Sequence, residues 1–216
     1  MTAGIAIISC VCYALLMVSP WNTYWVTSLG KLLVFGVVPL GYLLTKGDRF
    51  GAVFHLGDKK SLKLPLLLGV GCCLVIWVGY TLLYSFFDSQ QILSGLKAQG
   101  ITKVQYPFVF LHIVLINSFL EEFFFRGFLF RQSFLKGNKR FAYLFSSILF
   151  AFYHISIFNS WFSPAMVAFC IVGLVVAGLF FCEVDRRCDN IYGGWLLHVG
   201  ANLGINVIGA WLFLTA

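Results

Sequence analysis

Runs of apolar residues separated by short polar and basic stretches divide the chain into seven segments, at roughly 3–19, 26–44, 64–87, 106–130, 141–158, 162–183 and 191–213. Each is near the ~17–25 residues that an α-helix needs to cross a bilayer. The pattern predicts an all-α fold: a polytopic transmembrane helical bundle of about seven spanning helices, or eight if a half-buried segment in 88–105 adds one. No repeat, low-complexity tract or linker separates a soluble domain. The chain therefore reads as one continuous membrane domain, with about three N-terminal helices in 1–105 and a four-helix core in 106–216.

Composition agrees with this pattern. Of the 216 residues, 60% are hydrophobic and 11% charged, and the mean hydropathy is +0.91, values that a soluble domain of this size does not tolerate. The net charge of +7 suggests nucleic acid until the lysines and arginines are located. They sit in loops between apolar runs, where cytoplasmic retention accounts for them, so nucleic acid is not an expected partner and the lipid bilayer is. Six of the seven cysteines, Cys10, Cys12, Cys72, Cys73, Cys170 and Cys182, lie inside apolar runs, with only Cys188 in a loop. Small buried hydrophobes fit that placement better than a disulfide framework. The N-terminal run has neither a basic n-region before it nor a small-residue cleavage site after it, and reads as a first membrane helix.

The fourth segment breaks the apolar pattern with Glu121, Glu122 and Arg126. A charge near the middle of a spanning helix costs at least ~2.5–3.5 kcal/mol on insertion scales, so ionisable residues there face a bundle interior or cavity and have partners. On a helix Glu122 and Arg126 are four apart and pair along one face, while Glu121 projects about 100° away. This spacing ties down one carboxylate and leaves Glu121 over. A packing network between helices explains the three charges equally well, so the other segments must decide.

Segment five carries Phe150-Ala-Phe-Tyr-His154, and segment seven carries His198-Val-Gly-Ala-Asn202, with Asn206 a turn further on. With a rise of ~1.5 Å per residue, Glu121, His154 and His198 lie about 15, 20 and 10 Å from the basic-loop ends of their segments. All three fall at similar depth, between the cytoplasmic face and the mid-plane, which unrelated packing residues need not do. His112, at the outer end of segment four, and His55, in a loop, do not join them. A carboxylate with two imidazoles supports general-base activation of water, with the remaining donors stabilising an oxyanion, or ligation of a metal by Glu121, His154 and His198. The His-Glu-x-x-His zinc pattern and the Gly-x-Ser-x-Gly elbow are both absent from the sequence.

The motifs Glu121-Glu122-Phe-Phe-Phe-Arg126, Phe150-Ala-Phe-Tyr-His154 and His198-Val-Gly-Ala-Asn202 resemble the Glu-Glu-x-x-x-Arg, Phe-x-x-x-His and His-x-x-x-Asn set of the CPBP intramembrane proteases. That family comprises type II CAAX prenyl endopeptidases and bacteriocin-processing or abortive-infection (Abi) proteins. The resemblance covers about the second half of the chain and makes 106–216 the catalytic core. It implies an intramembrane endopeptidase in which Glu121 and His154 activate water, His198 and Asn202 form the oxyanion hole, and Glu122 with Arg126 gives structural support. The implied substrate is a membrane-associated peptide or protein segment, prenylated or a leader, and the expected mechanism uses no cofactor, with zinc as the alternative. A proton- or metal-coupled transporter and a non-catalytic bacteriocin-immunity protein are the competing functions.

Loop charges set the expected topology. The stretches 45–63, 131–140 and 184–190 hold eleven of the fifteen lysines and arginines, while the opposite loops hold Lys97 and Lys103, with Lys31 near the first. By the positive-inside rule the chain is a multi-pass cell-membrane protein with a cytoplasmic N-terminus and a site open to the cytoplasmic half. Phe50, Phe54 and Leu56 give the 45–63 loop a surface that suits an anionic leaflet, although a plain solvated retention loop explains it as well. A single cysteine placed at position 138 should react with an impermeant maleimide only after the cells are opened. Labelling in intact cells would reverse the topology.

Overall fold

The computed structural model describes residues 1–45, 53–55, 59–158 and 161–215. Its helices are α1 (Thr2–Met17), α2 (Tyr24–Thr45), α3 (Lys63–Leu82), α4 (Ser89–Ala98), α5 (Tyr106–Leu135), α6 (Lys139–Phe158), α7 (Pro164–Cys188) and α8 (Tyr192–Thr215). Among the described residues there is no strand, and six helices, α2, α3 and α5–α8, are long and apolar enough to cross a membrane. With the shorter apolar α1, this is the polytopic all-α bundle that the hydrophobic runs predict. The segment at 88–105 does not add a span: Asp88 caps it by accepting from the amides of Gln90 and Gln91, and the resulting helix has only 10 residues. That is about half the length needed to cross.

Large apolar side chains cover the outside of the bundle, with Leu66, Leu67, Val70, Leu74 and Val75 exposed along α3 alone. Lipid is the solvent such a surface fits. The interior is aromatic. Phe35 of α2 stacks on Phe124 of α5 with ring centroids 4.1 Å apart, and one cluster joins Ala6, Tyr13, Phe35, Phe124, Phe150 and Leu197. The N-terminal helices thus share their core with the motif-bearing ones.

Departures from regular α-winding in α5 and α6 lie beside the polar residues. In α5, Ser118–Glu122 is α-helical but is flanked by π-helical stretches at His112–Asn117 and Phe123–Phe130. Such wide turns are rare and recur at functional sites. In α6 the winding tightens at His154, whose amide bonds to the Ala151 carbonyl. The Phe150 carbonyl is then available to the His154 ring, whose Nδ1 lies 2.7 Å away.

The loop reading needs correction at its second stretch. Lys46, Arg49, Phe50 and Leu56 lie outside the described residues, but Phe54 stacks on Phe119 and Phe123 of α5 and Val53 is buried, accepting from the Ile191 amide. This part of the loop packs under the bundle, because a stacked aromatic pair is worth more than a ring left among headgroups. The start of α8 is fixed by Asn190, whose Oδ1 accepts from the amides of Tyr192 and Gly193, and by Asp185, whose Oδ1 accepts from Gly194 at 2.6 Å.

Helix α8 then runs against α3 with small residues at the crossing. A Cβ on Gly69 would lie 2.8 Å from the Leu196 carbonyl oxygen, and one on Gly200 would strike the Gly69 backbone. Small residues allow this close approach where lipid supplies no hydrophobic drive between helices. Gly200→Ala should push the two helices apart at a cost of about 1–3 kcal/mol, typical of overpacking. Thermal unfolding in detergent should show a lower Tm for Gly200→Ala and no change for Gly71→Ala, whose Cβ would meet nothing within 4 Å.

Candidate active site

Glu121 and Glu122 are 1% and 0% exposed, and Arg126 is 1% exposed. Ionised groups in such a setting need close partners. Glu122 Oε1 accepts from Arg126 Nη1 at 3.1 Å, along the face that the spacing of four defines, and also faces His198 Nδ1 at 2.8 Å. The Arg126 guanidinium lies over the rings of Phe150 at 4.2 Å and Phe181 at 4.9 Å. Phe150, the aromatic of the second motif, thereby supports the cation of the first and packs against both imidazoles, at centroid distances of 4.8 Å to His154 and 5.9 Å to His198.

Glu121 is not left over, and here the spacing argument is overturned. Lys31 of α2 places its Nζ 2.5 Å from Glu121 Oε1, 2.7 Å from Asn117 Oδ1 and 3.1 Å from the Tyr153 hydroxyl. Asn117, one turn before Glu121, donates from Nδ2 to the same Oε1 at 2.7 Å. The sequence reading placed Lys31 near a loop as a topology charge, yet it is 3% exposed. The signal was present, since a lysine inside segment two is subject to the same insertion cost that singled out Glu121. Asn117 and Tyr153 carry no charge and give no such signal.

The other carboxylate oxygen, Glu121 Oε2, is buried with no hydrogen-bond partner among the described residues. His154 Nε2 lies 3.9 Å from it and His198 Nε2 3.8 Å. These separations are too long for direct hydrogen bonds and match the span of two hydrogen bonds through one shared oxygen. Because His154 Nδ1 faces a carbonyl and His198 Nδ1 a carboxylate, both Nδ1 atoms carry hydrogen, so in the neutral rings both Nε2 lone pairs face the gap. The structure brings together Glu121, His154 and His198, with Glu122 and Arg126 directly behind His198. Asn202 stands a turn along α8 and donates from Nδ2 to the Ile113 carbonyl at 3.2 Å, while its own carbonyl accepts from Asn206. His112 bonds instead to the Tyr24 hydroxyl, at 2.7 Å, and His55 is exposed.

The Glu121, His154 and His198 trio named for zinc does not suit a dication. The Lys31 ammonium already balances the charge of this carboxylate through Oε1, at 2.5 Å, and a dication bound to the same carboxylate would be repelled by it in an apolar interior. Among the described residues no group of three His, Cys, Asp or Glu side chains is arranged to hold a metal ion.

No curated protein and no solved structure matches the chain. A family model does match residues 103–204, a segment that contains all three motifs and whose description is type II CAAX prenyl endopeptidase, Rce1-like. This match bears out the resemblance that the motifs carry and is consistent with a CPBP family protease.

Proposed function

We propose that the protein is an intramembrane glutamic-type endopeptidase that hydrolyses a peptide bond in a membrane-associated segment, prenylated or a leader, within the cytoplasmic half of the cell membrane. The observation that carries this reading is the pair of imidazole Nε2 atoms facing Oε2 of buried Glu121, at 3.9 and 3.8 Å, an oxygen with no hydrogen-bond partner among the described residues. A water in that gap donates to Glu121 Oε2 and to His154 Nε2. As its oxygen bonds to the scissile carbonyl carbon, one proton passes to the Glu121–His154 pair and the carbonyl oxygen takes up the negative charge. His198, its Nδ1–H held by the Glu122 carboxylate, donates to this oxyanion when Nε2 also carries a proton, and Asn202 donates from the N–H that does not bond to Ile113. The C–N bond then breaks while that proton passes to the leaving nitrogen, giving an amine and a carboxylic acid that keeps the water's second proton until it ionises to a carboxylate in solution. No step requires a metal.

In a purified preparation tested on farnesylated CAAX peptides and an unprenylated peptide library, Glu121→Gln and His154→Ala should each lower kcat by about 10²–10⁴, the usual worth of positioned acid–base groups. Asn202→Ala should cost about 10²–10³, as loss of an oxyanion donor does, with chelators without effect. Activity lost on chelation and restored by zinc would refute the metal-free mechanism. Proton-driven ion flux in liposomes without any peptide cleavage would instead make the chain a transporter.

Glu122 has a double position, on Arg126 and on His198, so Glu122→Gln should harm both folding and turnover. Removing one partner of a buried pair costs about 3–5 kcal/mol, which should appear as a lower Tm and yield. Arg126→Met should share the stability loss, while the surviving folded fraction keeps more activity than Glu122→Gln does, because its His198 still has a carboxylate. Equal activity per folded molecule in the two variants would separate Glu122 from the chemistry.

A further inference from the structure

Lys31 lies in α2, outside the 103–204 segment and outside every motif quoted for it. Its ammonium has three protons, and the three oxygens around it, on Glu121, Asn117 and Tyr153, account for all of them. The rings of Tyr153, Tyr13 and Phe35 stand 4.9, 5.4 and 5.6 Å from Nζ and close the remaining directions to water. Asn117 completes the arrangement. Its Oδ1 faces the ammonium and its Nδ2 faces the carboxylate, the only orientation in which both contacts join a donor to an acceptor. Glu121 Oε1 therefore receives two donors, one of them charged, while Oε2 receives none among the described residues.

We propose that Lys31 and Asn117 are positioning residues that clamp Oε1 of Glu121, so that Oε2 alone is presented to the gap shared with His154 and His198. This inference rests on the reading of Glu121 as the residue that receives the water's proton. A glutamate carboxylate turns easily about its last torsion, which is broad and two-fold. Without the clamp Glu121 is free to turn either oxygen towards an imidazolium and fill the space where water must bind. The ammonium on Oε1 fixes the plane of the carboxylate, and it compensates the buried negative charge from the side of Oε1, leaving Oε2 to the imidazoles. Charge-assisted hydrogen bonds of this kind are short and directional. The N-terminal helices thus enter the active site through one side chain that never touches the reacting atoms.

The test uses the full-length protein in detergent, with a farnesylated peptide ending in a CAAX sequence and its unprenylated twin as substrates. Lys31→Met should lower kcat by about tenfold or more, as misplacement of a catalytic group does, while KM stays within about twofold because substrate contacts are untouched. Lys31→Arg, which retains the cation, should recover part of the loss. Asn117→Leu, with Lys31 in place, should show a smaller fall in kcat, again at constant KM. A purely structural lysine would instead reduce yield and Tm and leave the folded fraction with the parent kcat, and that result overturns the inference. Where Lys31→Met does not accumulate, Lys31→Arg and Asn117→Leu decide: parent kcat in both also overturns it. Loss of activity in Glu121→Gln alongside an unchanged Lys31→Met would remove only the clamp. An active Glu121→Gln would remove the general-base reading beneath it. A parent that cleaves neither peptide leaves Lys31 no reaction to serve and overturns both.

Discussion

The structure depends on the cost of holding a carboxylate in an apolar interior. Glu121 and Glu122 are adjacent, and both are almost fully buried. Each meets that cost with a different cation: Glu121 with Lys31, from a helix far away in sequence, and Glu122 with Arg126, one turn along the same helix. The two pairings turn the neighbouring carboxylates in different directions, about 100° apart around α5, while both stay within reach of the His198 ring. One draws in α2, and the other draws in His198 from α8. Helix packing and site assembly are therefore the same set of contacts, and a bundle that satisfied its buried charges in another way would not have this site.

Rigidity follows from how each imidazole is held. His154 is fixed by a carbonyl of its own helix, made available because the chain tightens there. His198 is fixed by Glu122 and carried on a helix that packs on α3 without side chains between the backbones. Gly194 is part of the same support, since a Cβ there would lie 2.5 Å from Asp185 Oδ1 and 2.9 Å from Glu122 Oε2. The backbone passes close to a cluster of acidic oxygens, and only the residue without a side chain fits. Preorganisation of this kind matters because a donor that must move to meet developing charge loses much of its effect.

Much of this was legible in the sequence, for definite reasons. A spanning helix announces itself by length and apolarity, so α2, α3 and α5–α8 stand close to their expected places. Glu121, His154 and His198 were legible as a group because buried polarity is costly, and their depths could be compared using the helical rise alone. The error at Lys31 came from letting one explanation of a charge, loop retention, displace another, burial with a partner. Asn117 lies four residues before Glu121 on one face, but a neutral amide attracts no notice until its partner is seen. The π-helical turns and the tightening at His154 were not legible at all. They depend on which carbonyl each amide selects, and that choice is settled by packing among helices that no local pattern encodes.

Those π-helical turns have one more consequence. A π-turn closes its hydrogen bonds one residue further on than an α-turn does, so each such stretch behaves as an α-helix holding an extra residue. Helix α5 has one on either side of Ser118–Glu122. Loss of a residue from the stretch before Asn117 can be absorbed by return to α-winding there, so that the N-terminal part of the helix keeps its facing while Asn117 and the glutamates keep their place against α2 and α8. The chain thus carries slack in register beside its least tolerant residues, and its length can drift at the N-terminal end of α5 without disturbing the acidic pair.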